Sequence, residues 1–498
     1  MKYKIVSFIG FAMLACAAVA KSQSPVLWHN LKQGPYSVGF RMEWKYDYAR
    51  SWGNGARPLR INIWYPAVKT TGKKMLYEKY VFNTPPDSSF TEYNNALVKY
   101  DVGDSTKSLL GCYDGSQLYF KNLLKTPVNA VFGAAAGNGK YPVIIYSLGQ
   151  NDYTQESTVL CEFLASNGYI VISVPQWGPL PRKHFLMIDE EQSFETQVRD
   201  LEFITAMACQ MPNADRNKIV AAGHSMGGVY SLLLAMRNKN IRMVIGLDAS
   251  FTSYQESYTL KYWNLPYYDQ WNFRIPLIQL CKKEEPRNDE VVNALKFSER
   301  YIITFPKLIH SDFSSFPMVT SLAPANNVDD YALQHRSQQD AVTGYEEVCR
   351  IFLSALQKYL FGQGDITATN EKIEFFKATD APGEEGLYNL LVKDGLNKAS
   401  EKLRQAIANY PGDTLIREKA MNRIAFECAI SNRLNDAIGM YILNSIVYPK
   451  SDGVYRRLAD AYIDAGDAGN AKLNYEKALQ LNPGNEDAKN ALDKLKGK

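Results

Sequence analysis

Between Lys218 and Val229 the chain reads Lys-Ile-Val-Ala-Ala-Gly-His-Ser-Met-Gly-Gly-Val, and this stretch constrains the fold more than any other. Ile219 to Ala222 form a short apolar run, and Gly223 and Gly227 bracket Ser225. From Val229 to Met236 the apolar residues follow a helical period. A strand, a turn held by two glycines and a helix together make the G-x-S-x-G elbow, which lifts a serine hydroxyl out of a sheet. A Cβ at position 223 or 227 is expected to strike the neighbouring strand or helix. The N–H of Met226 then lies at a helix N-terminus, where it can face a developing oxyanion.

The surrounding pattern suits such an elbow. Pro142–Tyr146, Tyr169–Val174, Lys218–Ala222, Arg242–Leu247, Pro276–Leu280 and Tyr301–Phe305 are short apolar runs that predict strands. Ser157–Asn167 and Ser193–Met207 predict helices between them. Strands alternating with helices give an α/β chain with a mostly parallel sheet covered on both faces. Upstream, Arg57–Ala67 alternates apolar and polar residues and fits a further strand. Residues 68–139 are irregular and tyrosine-rich, and are expected to form a largely helical insertion, a lid or access wall.

In parallel sheets, reactive groups gather at the carboxyl ends of the strands. Asp248 closes the strand after the elbow helix, and His310 follows the run 301–305. A serine hydroxyl becomes a nucleophile only when an imidazole takes its proton, and a carboxylate must orient that imidazole. Among the five histidines, His29, His184 and His335 lie in the wrong order or context, and His224 is expected to face away from Ser225. Ser225, Asp248 and His310 are therefore the candidate catalytic residues. Asp312 and Asp289 are fallback acids, and Glu284 or Glu285, beyond Leu280, are a further alternative. The turn Ser147-Leu148-Gly149-Gln150 should supply a second oxyanion donor, the N–H of Gln150 first and that of Gly149 second.

Residues 1–20 read as an export leader. Lys2 and Lys4 precede the apolar run Ile5–Ala15, and Ala18-Val19-Ala20 offers a small-x-small cleavage site. Lipoprotein processing at Cys16 is the rival reading. The formal net charge of +4 drops to +2 without Lys2 and Lys4 (4 − 2), too balanced for a nucleic-acid partner. The cysteines show no metal-ligand spacing, so neither a metal nor a cofactor is expected. Most of them read as buried small hydrophobes.

With these pieces in order, the chain resembles the plasma-type platelet-activating factor acetylhydrolase family, within the dienelactone-hydrolase-like α/β hydrolases. The resemblance rests on Gly34-Pro35-Tyr36-Ser37-Val38-Gly39, Arg57–Arg60 running into Trp64–Ala67, and Tyr141-Pro142 with Tyr146-Ser147. Gly223–Gly228, Leu247-Asp248-Ala249 and His310 with Asp312-Phe313 complete it. It spans roughly residues 33–362 and implies a metal-independent esterase or lipase for short or oxidised acyl esters, phospholipids among them. In that family Ser225, Asp248 and His310 would be the triad, and Gln150 and Met226 the oxyanion donors. The family's oxyanion turn carries His-Gly where this chain has Leu148-Gly149, so support of the turn by a histidine side chain is expected to be lost.

After Gly362 the composition changes. Leu458, Ala459, Tyr462, Gly466, Ala471, Tyr475, Ala478 and Pro483 resemble a tetratricopeptide repeat, with an earlier copy at Ile424, Ala425, Ala437, Tyr441 and Pro449. A catalytic domain over 25–363 and a repeat domain over 384–498 follow, the latter a surface for a protein or peptide partner. A serine peptidase of the same fold, or a repeat-based binding protein with an inert hydrolase domain, are the alternatives.

Overall fold

A computed structural model describes residues 26–69, 72–103, 117–150, 152–178, 191–252, 265–270, 272–283, 286–322, 336–379, 381–409 and 416–496. The leader (1–20), Cys16, His184, Glu284, Glu285 and His335 lie outside them. Among the described residues no helix is long and apolar enough to cross a membrane.

Among the described residues, ten strands form one sheet: β1 (Ser37–Trp52), β2 (Gly55–Ala67), β3 (Ala130–Phe132), β4 (Tyr141–Ser147), β5 (Ile170–Val174), β6 (Ala214–His224), β7 (Ile241–Leu247), β8 (Leu277–Lys282), β9 (Arg300–Phe305) and β10 (Lys372–Phe376). Their order is β10-β9-β8-β7-β6-β4-β5-β2-β1-β3. From β5 to β9 the pairing is parallel throughout. The antiparallel hairpin β1–β2 extends the sheet on one side, and β10, antiparallel to β9, closes the other. The sheet therefore runs past residue 363, and the strand 372–376 joins it from beyond the expected catalytic boundary.

Both faces of the central strands are buried, which is why these strands read as unbroken apolar runs. Side chains still alternate between the two faces. Ile144, Tyr146, Val220 and Ala222 face one core, with Tyr345, Val348 and Phe352 of the helix Gln338–Phe361. Val143, Ile145, Ile219 and Ala221 face the other, with Val198 and Leu201 of α5 (Glu191–Gln210) and Val229, Leu232 and Leu233 of α6 (Met226–Arg237). Fully burying one such side chain is worth about 1.5–3 kcal/mol.

The segment 68–139 is part helix, with α1 (Glu78–Val81), α2 (Thr91–Gly103) and α3 (Gln117–Leu124), and part sheet, since β3 runs parallel to β1. A buried carboxylate ties it down. Glu162, on α4 (Thr158–Ser166), accepts from Trp28 Nε1 at 3.0 Å, Tyr80 Oη at 2.5 Å, and the N–H groups of Asn129 at 3.1 Å and Ala130 at 3.3 Å. Burial pushes its pKa up, and these four donors hold it back.

Beyond β10, the described residues between Glu384 and Lys496 form seven helices that pack as successive hairpins. Ala425 and Ala459, Ala437 and Ala471, and Tyr441 and Tyr475, thirty-four residues apart in each case, are buried at matching places. The helical region rests on the sheet domain rather than standing free. Phe297 joins its apolar cluster, Arg417 pairs with Asp269 at 2.8 Å, and Arg274 donates to the Ala381 carbonyl at 2.8 Å.

Candidate active site

β6 ends at His224 and α6 begins at Met226, so Ser225 alone makes the turn, at φ 53° and ψ −127°. A non-glycine residue in that region is strained and persists only when its surroundings hold it. Here the Ser225 N–H donates to the Leu247 carbonyl at 3.0 Å, while its carbonyl accepts from Gly228 at 3.1 Å and Ser250 at 3.2 Å. The glycines behave as the sequence requires. A Cβ on Gly227 would lie 2.3 Å from the Ser147 oxygen, and one on Gly223 would lie 2.4 Å from the Gly227 carbonyl carbon.

Asp248 follows β7 directly, also at positive φ (42°). Its N–H donates to the Leu280 carbonyl at 2.6 Å, and its Oδ1 accepts the Lys282 N–H at 3.0 Å. Its Oδ2 lies 2.5 Å from His310 Nδ1. The Asp248 side chain is nearly buried, whereas that of His310 is about half exposed. His310 opens a short turn after β9, and Asp312 fixes this turn by accepting the Ile309 N–H at 3.0 Å. Asp312 otherwise pairs with Arg336, both side chains buried, and Asp289 pairs with Arg287. Neither fallback acid meets His310 in the described contacts. His29 lies elsewhere, its Nε2 2.8 Å from Ser321 Oγ.

Ser225, His310 and Gln150 line one cavity of about 320 Å³, together with Asp152, Tyr153, Gln155, Glu156, His224, Ser314, Ser315 and Phe316. No described residue of 68–139 lines it. Met226 is buried at the first position of α6. The turn Ser147–Gln150 is held without a histidine at 148. The Gly149 N–H donates to Glu156 Oε2 at 2.8 Å, and Gln176 Nε2 donates to the Leu148 carbonyl. The expected loss of support is thus made good by two other side chains. With its N–H engaged by Glu156, Gly149 is not free to serve as an oxyanion donor.

His224 does not face away as the sequence suggested. It lines the same cavity, its ring 4.7 Å from that of His310 at 30°. Its Nδ1 faces Glu156 Oε1 at 2.9 Å and Asp152 Oδ2 at 3.4 Å, and its Nε2 faces the His310 carbonyl at 3.1 Å. Burial pulls the His224 pKa down, but the two carboxylates outweigh it and hold the ring well above its ordinary value. Burial first, then the charge of Asp152, push Glu156 up to about 7, with His224 opposing. Asp152, Glu156 and His224 could in principle hold a cation, since one ligand atom from each lies within 4.8 Å of the others. Sequence reading missed this trio. Its only trace was two carboxylates four residues apart just after the oxyanion turn.

The chain matches the chlorophyllase family model over residues 117–252. That stretch, well under half of the chain, carries Gln150, Ser225 and Asp248 and ends before His310. No curated protein sequence matches the chain. Among solved structures it is similar to a ferulic acid esterase from Streptomyces cinnamoneus, at 16% identity and a TM-score of 0.48, over 69% of this chain and 97% of that one.

Proposed function

We propose that the chain is a serine carboxylic-ester hydrolase of the α/β-hydrolase fold. The observation that carries this reading is the Asp248–His310 contact beyond the carboxyl ends of β7 and β9, parallel strands with β8 between them, beside the cavity that Ser225 and His310 line. The match to the chlorophyllase model over the elbow supports an esterase.

In this reading His310 takes the Ser225 proton as Oγ attacks the ester carbonyl, while Asp248 holds Nδ1–H and stabilises the imidazolium. The N–H groups of Gln150 and Met226 receive the oxyanion. His310 then protonates the leaving alcohol, and water, activated by the same ring, releases the acid from the acyl-enzyme. The modest size of the cavity favours short acyl groups, in line with the resemblance to platelet-activating factor acetylhydrolases. An exported protein whose C-terminal tetratricopeptide-like hairpins hold a protein or peptide partner completes the proposal.

The test is turnover of p-nitrophenyl esters of graded chain length, a short-acyl phospholipid and a peptide, with Ser225→Ala as the control. Loss of the nucleophile should lower ester turnover by about 10³-fold or more. Equal activity in Ser225→Ala, or cleavage of the peptide in preference to every ester, would sink the reading.

A further inference from the structure

We infer that Asp152, Glu156 and His224 form a binding site for a divalent transition cation, zinc first, in the wall of the cavity that Ser225 lines. A cation there ties the oxyanion turn to the end of β6, a role that rests on the esterase reading, whereas the binding itself does not.

Three observations support it. First, the His224 ring is disposed as a ligand. Its Nε2 lies 3.1 Å from the His310 carbonyl, and a carbonyl only accepts, so Nε2 carries the proton and the neutral ring keeps a lone pair on Nδ1. His224 is 3% exposed, and its buried Nδ1 has no hydrogen-bond partner although two carboxylates lie beside it. A histidine whose far N–H is spent on a backbone carbonyl is the common arrangement around a bound metal. Second, the spacing suits a coordination sphere. Nδ1 lies 2.9 Å from Glu156 Oε1 and 3.4 Å from Asp152 Oδ2, and one ligand atom from each residue lies within 4.8 Å of the others. Zinc bonds of about 2.0–2.2 Å hold neighbouring tetrahedral ligands about 3.4 Å apart, so a small outward shift of Glu156 completes the cup. Third, Gly149 keeps the space beside the trio clear. A Cβ there would sit 2.5 Å from Asp152 Oδ2 and 3.1 Å from His224 Nδ1.

Electron-pair donors packed this closely away from water repel one another unless a positive charge lies among them. A divalent cation satisfies all three donors at once. The other oxygen of Glu156 takes the Gly149 N–H at 2.8 Å, so this carboxylate is itself held from its outer side, as metal-ligating carboxylates are. One imidazole nitrogen with two carboxylate oxygens suits zinc or manganese better than magnesium or calcium, which prefer oxygen alone. All three residues line the cavity, so water can supply a fourth ligand. No motif marks the site, because Asp152 and Glu156 come from the segment after β4 and His224 from the end of β6.

The experiment strips the full chain with a chelator and titrates it with zinc chloride near neutral pH against a chromophoric competitor. One zinc per chain should bind and raise Tm, because the assembled site exists only in the folded state. Asp152→Asn changes a partly exposed side chain without changing its shape. It should weaken zinc at least about a hundredfold, more than the loss of an outer partner costs. His29→Gln, at a histidine outside the cavity, should bind zinc as the wild type does. ¹⁵N-histidine NMR reads the wild type directly, and zinc should displace the His224 Nδ1 resonance while Nε2 keeps its proton. No uptake at about 1 mM zinc or manganese overturns the proposal. So does unchanged affinity in Asp152→Asn, loss of binding in His29→Gln, or a His224 resonance that zinc leaves in place. Should Asp152→Asn fail to fold, the wild-type spectrum decides. If no ester is turned over, the esterase reading fails, and the zinc titration still decides whether the site exists.

Discussion

Asp248→Asn tests the site most directly, because the structure fixes which way the new amide must point. Asparagine tolerates positive φ, so the backbone at 42° is kept without added strain. One side-chain oxygen must still accept the Lys282 N–H, now 3.0 Å away. The amide nitrogen is then turned toward His310 Nδ1 and donates to it. The ring must take the tautomer that carries its proton on Nε2, and it can no longer accept one from Ser225. Rotating the amide restores the tautomer but opposes its N–H₂ to the Lys282 N–H. Two opposed, buried donors cost about 3 kcal/mol, or about 150-fold. The lost carboxylate charge, which stabilised the imidazolium, removes about a further tenfold. By either route kcat should fall about 10³- to 10⁴-fold, equivalent to about 4–5.5 kcal/mol. Steady-state hydrolysis of a short p-nitrophenyl ester at pH 8, with Tm measured in parallel, reads the result. A correctly folded Asp248→Asn protein that keeps more than about a tenth of wild-type kcat would refute the assignment of the orienting acid.

Other parts of the frame have their own expected outcomes. Gly227→Ala places a Cβ 2.3 Å from the Ser147 oxygen, and should cost about 1–3 kcal/mol or more of stability and most of the activity, read by denaturant melts and turnover. Arg336→Ala leaves the buried Asp312 carboxylate without its counter-charge and should destabilise by about 3–5 kcal/mol while loosening the His310 turn; an unchanged Tm would contradict it. The thiols of Cys161, Cys281 and Cys349 are free and buried, with burial pushing Cys281 up to about 12, so they should react with a disulfide reagent only on unfolding. A chain ending at Lys377 should keep turnover of small esters, since no described residue lining the cavity lies beyond Val319, yet melt earlier as Phe297 loses its cover.

Much of the centre was legible in the sequence because its physics is local. Buried parallel strands must be apolar on both faces, so β4 to β9 stand out as runs, and each falls within a residue or two of its expected place apart from the earlier start of β6. The elbow is legible because two glycines are demanded by backbone contacts within a few residues of the serine. Asp248 and His310 follow from the rule that reactive groups collect where parallel strands end. Other features depend on residues far apart in the chain. Lys372–Phe376 is a short, half-exposed strand whose partner lies some seventy residues earlier, and it carries no pattern of its own. Glu162 reads as the polar residue of a helix until Trp28, Tyr80, Asn129 and Ala130 bring four donors to it. For His224, a place inside the elbow beside Ser225 says nothing of what crosses over it from elsewhere in the chain. The turn carrying His310 and the segment carrying Glu156 meet there only once the sheet is assembled. The hydrogen bond to the His310 carbonyl and the nearby Glu156 carboxylate, rather than any motif, go with a ring that lines the cavity.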